Sequence, residues 1–441
     1  MRSIACIDDL QKLAKRRVPK MFYDYADSGS WSETTYRANE TDLAAIKFRQ
    51  RVALDVSKRS TEMVMLGQKL PMPVALAPTG LTGMQRADGE ILAARAAADF
   101  GVPFTLSTMS ICSIEEVAAN SPEPFWFQLY VNQDRELVQE MVQNAESYGC
   151  KALFVTVDAP QLGRRDRDMR MKTIDKSSVS VANDLQEKDV PKDQGTTAAI
   201  TSFIDPSLSW PDIEWIMSIT KMDIILKGIQ CGADAVVARK LGVKGIVVSN
   251  HGGRQVDTAR SGIEILPEVM EALESTFCES ELENFHVLLD GGVRRGTDIF
   301  KAIALGARGC GIGKPAAYAM SAYGQPGIEQ MLDQLRAEFK NVMQLMGVSS
   351  VEQIRREGRQ LCDIRNLSTH LESSPTDYHY QPVNVFTHGT QPDLLQSPMP
   401  AQPMLAQQSG EVSTTTTTVK TEYPDGRIIT RTVTVTGPAR M

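Results

Sequence analysis

Seven consecutive residues, Ser249-Asn250-His251-Gly252-Gly253-Arg254-Gln255, place an imidazole and a guanidinium three positions apart on either side of a glycine pair. They follow the apolar run Gly245-Ile246-Val247-Val248, which reads as a β-strand buried on both faces. The glycines let the backbone turn sharply and leave room for a ligand to come close. An imidazole exchanges a proton near neutral pH, and a guanidinium grips a planar carboxylate with paired hydrogen bonds. The chemistry this suggests is proton removal from an anionic organic acid. The competing account is a strand end capped by a histidine with an arginine on the surface.

Other apolar runs end on polar groups too. Thr156-Val157-Asp158 is followed by Arg164-Arg165, and Asp158 is a carboxylate suited to orienting a histidine base. Lys227 closes Ile224-Ile225-Leu226. There it is either a Schiff-base nucleophile, as in an aldolase, or a fixed cation beside a bound cofactor. Gln128-Leu129-Tyr130 presents an amide and a phenol, Ser107 ends another run, and Pro78-Thr79-Gly80 another. Asp290-Gly291-Gly292-Val293-Arg294 and Gly311-Ile312-Gly313-Lys314 each join bare N–H groups to a basic side chain, which suits a phosphate. Each tip alone is explained by loop capping; polar groups at so many consecutive tips are not.

The elements that must position them alternate. Expected strands are Val74-Ala77, Phe104-Ser107, Phe125-Val131, Ala152-Asp158, Ile224-Lys227, Gly245-Asn250, Val287-Asp290 and Gly309-Gly313. Helical patterns lie between them, at Asp88-Phe100, Asp134-Tyr148, Cys231-Leu241, Glu264-Leu273 and Thr297-Leu305. Repeated β-then-α units with strands apolar on both faces predict an α/β fold, the (β/α)8 TIM barrel. Its active site then lies at the C-terminal strand ends, with phosphate bound after strands seven and eight. A doubly wound sheet is the alternative, but no Gly-x-Gly-x-x-Gly follows an early strand. A helical segment from about Ile7 to Arg51 precedes the barrel and carries the aromatic cluster around Tyr25. About 65 residues separate Asp158 from Ile224, and much of Asp175–Gly195 is polar, a rim loop or a tolerated surface excursion.

Composition narrows the function classes. A net charge of -7 offers no basic stripe for nucleic acid. The seven cysteines are scattered without a Cys-x-x-Cys pair, which argues for reduced thiols in an intracellular protein and against a zinc site. No stretch approaches the roughly 18 apolar residues of a membrane span, and the N-terminus reads as no signal peptide. Of the five histidines, His370, His379 and His388 fall in a polar C-terminal region, leaving His251 and His286 for the core. The expected organisation is a barrel over 1–370, a disordered linker over 371–410, rich in Pro, Gln and Ser, and a tail over 411–441 with a β-hairpin around Tyr423-Pro424-Asp425-Gly426-Arg427. The terminal Ala439-Arg440-Met441 fits a loose version of the peroxisomal tripeptide; otherwise the cytoplasm is expected.

Taken in order, Tyr-Asp-Tyr, Ala-Pro-Thr, Gln-Leu-Tyr-Val, Thr-Val-Asp-Ala-Pro, Leu-Lys-Gly, Ser-Asn-His-Gly-Gly-Arg-Gln and Asp-Gly-Gly-Val-Arg-Arg-Gly resemble the FMN-dependent α-hydroxy acid oxidase and dehydrogenase family, from about residue 5 to 355. That family includes glycolate oxidase and flavocytochrome lactate dehydrogenase, whose haem domain has no counterpart here. The segment around Phe203-Ile204-Asp205-Pro206 looks closest to the lactate dehydrogenase branch. The resemblance implies oxidation of an L-2-hydroxy acid, L-lactate being the favoured substrate, with electrons leaving through FMN to oxygen, a quinone or a cytochrome, and it implies a homotetramer. It gives His251 the role of base with Asp158 behind it, and gives Tyr25, Tyr130, Arg165 and Arg254 the substrate. Pro78, Thr79, Gly80, Ser107, Gln128, Thr156, Lys227 and Ser249 fall to the flavin ring, with Lys227 a cation and no nucleophile. Asp290, Gly291, Gly292, Arg294, Gly313 and Lys314 fall to the ribityl phosphate. Lys314 stands where the family usually has Arg, which removes a bidentate partner. Met109 replaces the Trp of glycolate oxidases and Gly80 a commoner Ala, so a roomier pocket than glycolate needs is expected.

Overall fold

The computed structural model describes residues 4–171 and 203–367, together with the backbone of strands 412–422 and 428–438. The expected linker 371–410, the turn at 423–427, the terminal tripeptide and the polar stretch Asp175–Gly195 lie outside the described residues.

Eight parallel strands run in the order of the chain around a barrel: β1 Val74–Leu76, β2 Thr105–Ser107, β3 Trp126–Leu129, β4 Ala152–Thr156, β5 Asp223–Ile229, β6 Gly245–Val248, β7 His286–Asp290 and β8 Gly309–Ile312. β8 pairs with β1, and a parallel bridge between Leu76 and Phe104 closes the ring between β1 and β2. The strands are buried nearly throughout, as helices outside and side chains inside require. Inside, Ala75, Trp126, Phe154, Ile225, Val247 and Leu288 form a small core of their own. Trp126 stacks on Phe154 at 5.1 Å. Met65, Leu66 and Leu70, from the hairpin Met63–Met65/Gln68–Leu70, join that inner core and plug the barrel. A larger apolar cluster lies between the strands and the surrounding helices. No helix among the described residues is long and apolar enough to cross a membrane.

Most strands stop one or two residues short of the expected ends, at Leu76, Leu129, Thr156, Val248 and Ile312. Of the residues left out, Ala77, Tyr130 and Gly313 line a cleft at the strand ends, where ladder pairing gives way to loop geometry. β5 instead runs on to Ile229 through an irregularity between Lys227 and Ile229. Gly228 has φ +116° there, and a Cβ on it would lie 2.4 Å from the Cβ of Asp158. Only glycine lets β5 bend past the buried carboxylate.

Three helices precede the barrel: α1 Ile7–Arg17, α2 Lys20–Asp27 and α3 Thr34–Ala45. Asn39 on α3 and Asn250 after β6 exchange reciprocal amide bonds of 3.0 and 2.8 Å, which dock this segment on the C-terminal ends of the barrel strands. The helix Gln325–Leu345, the longest among the described residues, was not expected as an element. The chain divides into two units, Met1–Pro382 and Val383–Met441. Within the second, Val412–Glu422 pairs antiparallel with Ile428–Pro438.

Candidate active site

Every strand's C-terminal end opens on one cleft of about 1390 Å³ including its mouth. Its wall includes Tyr25, Pro78, Thr79, Gly80, Ser107, Gln128, Tyr130, Thr156, Arg165, Lys227, His251, Arg254, Asp290, Gly291, Gly292, Arg294, Gly313 and Lys314. Asp158 and Ser249 stand just behind it and hold residues that form it.

His251 sits at φ +58°, a left-handed conformation that costs a non-glycine residue on the order of 1 kcal/mol. Its backbone N–H donates to Ser249 Oγ at 3.0 Å. Its Nδ1 lies 3.0 Å from Asp158 Oδ1 and its Nε2 3.2 Å from the Tyr130 hydroxyl. Burial pushes the Asp158 carboxyl up, but the charges of His251 and Lys227 together hold it below its ordinary value. An ionised carboxylate only accepts, so Nδ1 carries the ring proton and Nε2 is left as the acceptor. Burial is also the main cause that lowers the imidazole, assisted by the charges of Lys227 and Arg254 and opposed by Asp158. A neutral base, locked in one tautomer, points Nε2 into the cleft.

Next to it stands a pair of arginines that could hold a carboxylate. Arg254 and Arg165 lie on the Tyr25 ring, each with its guanidinium carbon 5.1 Å from the ring centre. Arg165 is paired with Asp168 at 2.8 Å. Arg254 has only carbonyls, those of Tyr25 at 2.6 Å and Ser28 at 3.3 Å. Burial, and then the charge of Arg165, pull the Arg254 guanidinium down to about 10. A guanidinium whose charge is opposed by burial and by a second arginine favours an anion beside it.

The middle of the cleft is a hydrogen-bonded floor. Ser107 donates to Gln128 Oε1 at 2.7 Å, and Gln128 Nε2 donates to Thr156 at 3.0 Å, so the tips of β2, β3 and β4 form one chain. Lys227 donates to Ser249 at 3.3 Å and lies 3.5 Å from Asp290 Oδ2. Burial works against its charge, but Asp290 and Asp158 outweigh that and hold the ammonium above its ordinary value. A Schiff-base lysine must be a free amine, so this arrangement argues for a fixed cation and against an aldolase.

At the far end Gly291 and Gly292 adopt φ +90° and +81°, and a Cβ on Gly292 would lie 2.0 Å from the Asn39 carbonyl oxygen. The cradle exists only because both side chains are missing. Lys314 donates to the Gly252 carbonyl at 2.6 Å and lies 4.4 Å above the Tyr36 ring. Burial and then Arg254 bring its amine down to about 7. Arg294 points elsewhere than to a free site: it meets Asp8 at 2.6 Å, Gln11 at 2.6 Å and Glu40 at 3.3 Å. Three α3 residues that sequence reasoning passed over, Tyr36, Asn39 and Glu40, also form this wall. Their i, i+3, i+4 spacing puts them on one helix face, a signal that was there to be read. Gly80 corrects the expectation of a roomier pocket. A Cβ there would meet Met109 Cβ at 3.1 Å and the Met109 carbonyl at 3.2 Å, so the missing methyl admits Met109's own chain and opens no space.

Fold and site together define a flavin-binding barrel oxidoreductase. Asp290 Oδ1 is buried at the cleft with no partner among the described residues, as a ribityl hydroxyl would require, and the glycine cradle, the ammonium and the amide floor suit a flavin mononucleotide. The chain belongs to the FMN-dependent dehydrogenase family, whose model matches residues 14–360. It is 41% identical over 357 residues to glycolate oxidase 3 of Arabidopsis thaliana, covering 80% of this chain and 95% of that protein. It is 39% identical over 379 residues to L-lactate dehydrogenase (cytochrome) of Wickerhamomyces anomalus, covering 85% of this chain and 64% of the relative. Among solved structures, a double-mutant flavocytochrome b2 with pyruvate bound superposes with TM-score 0.75 at 36% identity, over 90% of this chain and 95% of that one. Mandelate oxidase with (S)-4-hydroxymandelic acid gives TM-score 0.74 at 37% identity, over 80% and 98%.

Proposed function

We propose that this protein oxidises an L-2-hydroxy acid, best L-lactate, to the 2-oxo acid, passing two electrons to FMN and on to oxygen, a quinone or a cytochrome. The observation that carries the reading is a neutral imidazole, backed by a buried carboxylate, beside a buried arginine whose hydrogen bonds among the described residues go to carbonyls. Bound FMN supplies the two-electron acceptor.

Arg254 and Arg165 grip the substrate carboxylate and turn the carbinol toward His251. The Tyr130 hydroxyl, already directed at Nε2, lies where the substrate hydroxyl would enter. His251 Nε2 takes a proton from the carbinol centre, and Asp158 steadies the imidazolium that results. Lys227 places fixed positive charge where negative charge accumulates, so no solvent has to reorganise there. Gly291 and Gly292 cradle the phosphate, with Lys314 and Arg294 as its nearby cations.

Met109 carries the preference for lactate over glycolate. It is buried at the substrate side of the cleft, and its flexible thioether yields to a methyl group where a rigid indole would not. The test is anaerobic mixing of FMN-loaded protein with glycolate, L-lactate and L-2-hydroxybutanoate. Faster bleaching of the flavin by L-lactate than by glycolate supports the assignment. Faster bleaching by glycolate refutes it.

A further inference from the structure

Tyr25 lies on α2, outside the eight β/α units, and Arg254 takes both of its carbonyl partners from Tyr25 and Ser28. The stretch from Asp24 to Glu33 is therefore a strap whose position decides whether the carboxylate site is assembled. Backbone bonds fix its far half: Ser30 N–H donates to Gly253 O, and Trp31 N–H to Arg164 O, both at 2.9 Å. Its near half, the end of α2, is held by side chains.

Most of that hold converges on Arg167, in the short helix Asp166–Met171 after β4. One nitrogen, Nη2, donates to Asp24 Oδ1 at 2.5 Å; the other, Nη1, donates to Asp27 Oδ2 at 2.8 Å and reaches Glu33 Oε1 at 3.5 Å. Asp24 and Asp27 are buried, three residues apart on one face of α2, with Tyr25 between them. Asp27 Oδ1 also accepts from Gln11 at 2.8 Å and from Tyr318 at 2.6 Å, and Glu33 Oε1 accepts from the Gly29 N–H at 3.0 Å. Lys20 pairs with the other oxygen of Asp24. The same helix that offers Arg167 also offers Asp168 to Arg165, so strap and clamp are referenced to one piece of chain.

We propose that Arg167 is a positioning residue: its forked guanidinium clasps Asp24, Asp27 and Glu33, and so holds the α2 strap over the site of the substrate carboxylate. This rests on the reading that the carboxylate lies between Arg254 and Arg165. The fork matters because a planar guanidinium satisfies two carboxylates in fixed directions, which a single ammonium does not. Without Arg167, Lys20 still pairs with Asp24, but Asp27 and Glu33 lose their guanidinium, and repulsion among the three acids drives the end of α2 off the clamp. FMN, held by the strand tips, does not depend on the clasp.

The experiment uses the full-length, FMN-loaded protein and 2-hydroxy-2-methylpropanoate, which keeps carboxylate and hydroxyl but has no α-hydrogen and so reports binding alone. In Arg167→Met its dissociation constant rises about tenfold, the worth of one charged hydrogen bond, and KM for L-lactate rises in step while kcat changes less. FMN affinity is unchanged. Arg167→Lys falls between wild type and Met, and adding Asp27→Asn to Arg167→Met recovers part of the loss. Analogue binding in Arg167→Met equal to wild type would overturn the proposal. So would loss of analogue and FMN binding together with a lowered Tm, the mark of a general structural role. Should the Met variant not fold, Arg167→Lys is judged by the same two comparisons. Wild-type protein that binds no FMN, or binds FMN but not the analogue, contradicts the functional reading itself, a result distinct from any difference between variants.

Discussion

At one end of the cleft, buried Arg254 lies on the Tyr25 ring, its hydrogen bonds among the described residues go to carbonyls, and its guanidinium is pulled down to about 10. At the other end, Arg294 already has Asp8 and Glu40, and its charge is held above its ordinary value despite burial. Both are arginines presented by a glycine-containing loop after a strand. The first is a cation waiting for an anion; the second is a cation largely answered by the protein. The comparison teaches that a basic side chain at a strand tip is a ligand only to the extent that nearby acids leave it one. On the proposed reading it also divides the labour: the substrate end supplies chemistry and selectivity, while the phosphate end relies more on the backbone cradle of Gly291 and Gly292.

Four results would sharpen or break that division. The largest effect is expected from His251→Gln, which removes the base but leaves the cradle: flavin reduction by L-lactate falls by about 10³-fold, while FMN stays bound, as stopped-flow absorbance and the flavin spectrum will show. Normal reduction would remove His251 from the mechanism. Arg254→Met comes next. Losing a buried, charge-assisted contact should lower kcat/KM by about 10²-fold, mostly through KM, with FMN affinity intact by fluorescence titration.

The pH profile gives a smaller but signed effect. His251 must be neutral to accept a proton, and its pKa is lowered from 6.5, so the acid limb of kcat/KM should lie below pH 6.5. Activity is full above that limb and is lost as pH falls through it. A limb above pH 6.5 contradicts the environment described for His251. The smallest effect belongs to the other end. Glu40 keeps 43% of its side chain exposed, so Glu40→Gln should tighten FMN by no more than about fivefold. The gain should shrink as salt is added and be absent for riboflavin, which has no phosphate. Weaker FMN binding in Glu40→Gln would mean that Glu40 helps hold the cofactor.

The barrel was legible because strands buried on two faces leave long apolar runs, and because polar residues such as Ser107, Gln128, Thr156 and Lys227 end those runs. Asp158 and His251 were readable as partners from their shared place at strand tips, 93 positions apart. What could not be read was occupancy. Arg294 reads as a phosphate ligand, and nothing in the sequence says that Asp8 and Glu40, 286 and 254 residues away, also reach it. Gly80 looks like empty space until Met109 is found within 3.1 Å of where its methyl would be. Arg167 carries no motif; its meaning lies in Asp24, Asp27 and Glu33 on a different element. Pairings of this sort depend on how the N-terminal helices dock, and no local pattern of residues encodes that.

The central claim is that the cleft moves electrons from a 2-hydroxy acid to FMN. Anaerobic addition of L-lactate to the FMN-loaded protein tests it most directly, followed at the absorption band of the oxidised flavin. Rapid bleaching that yields one pyruvate per flavin is the expected result, with D-lactate inert. A flavin that stays oxidised with L-lactate and every other L-2-hydroxy acid would contradict it.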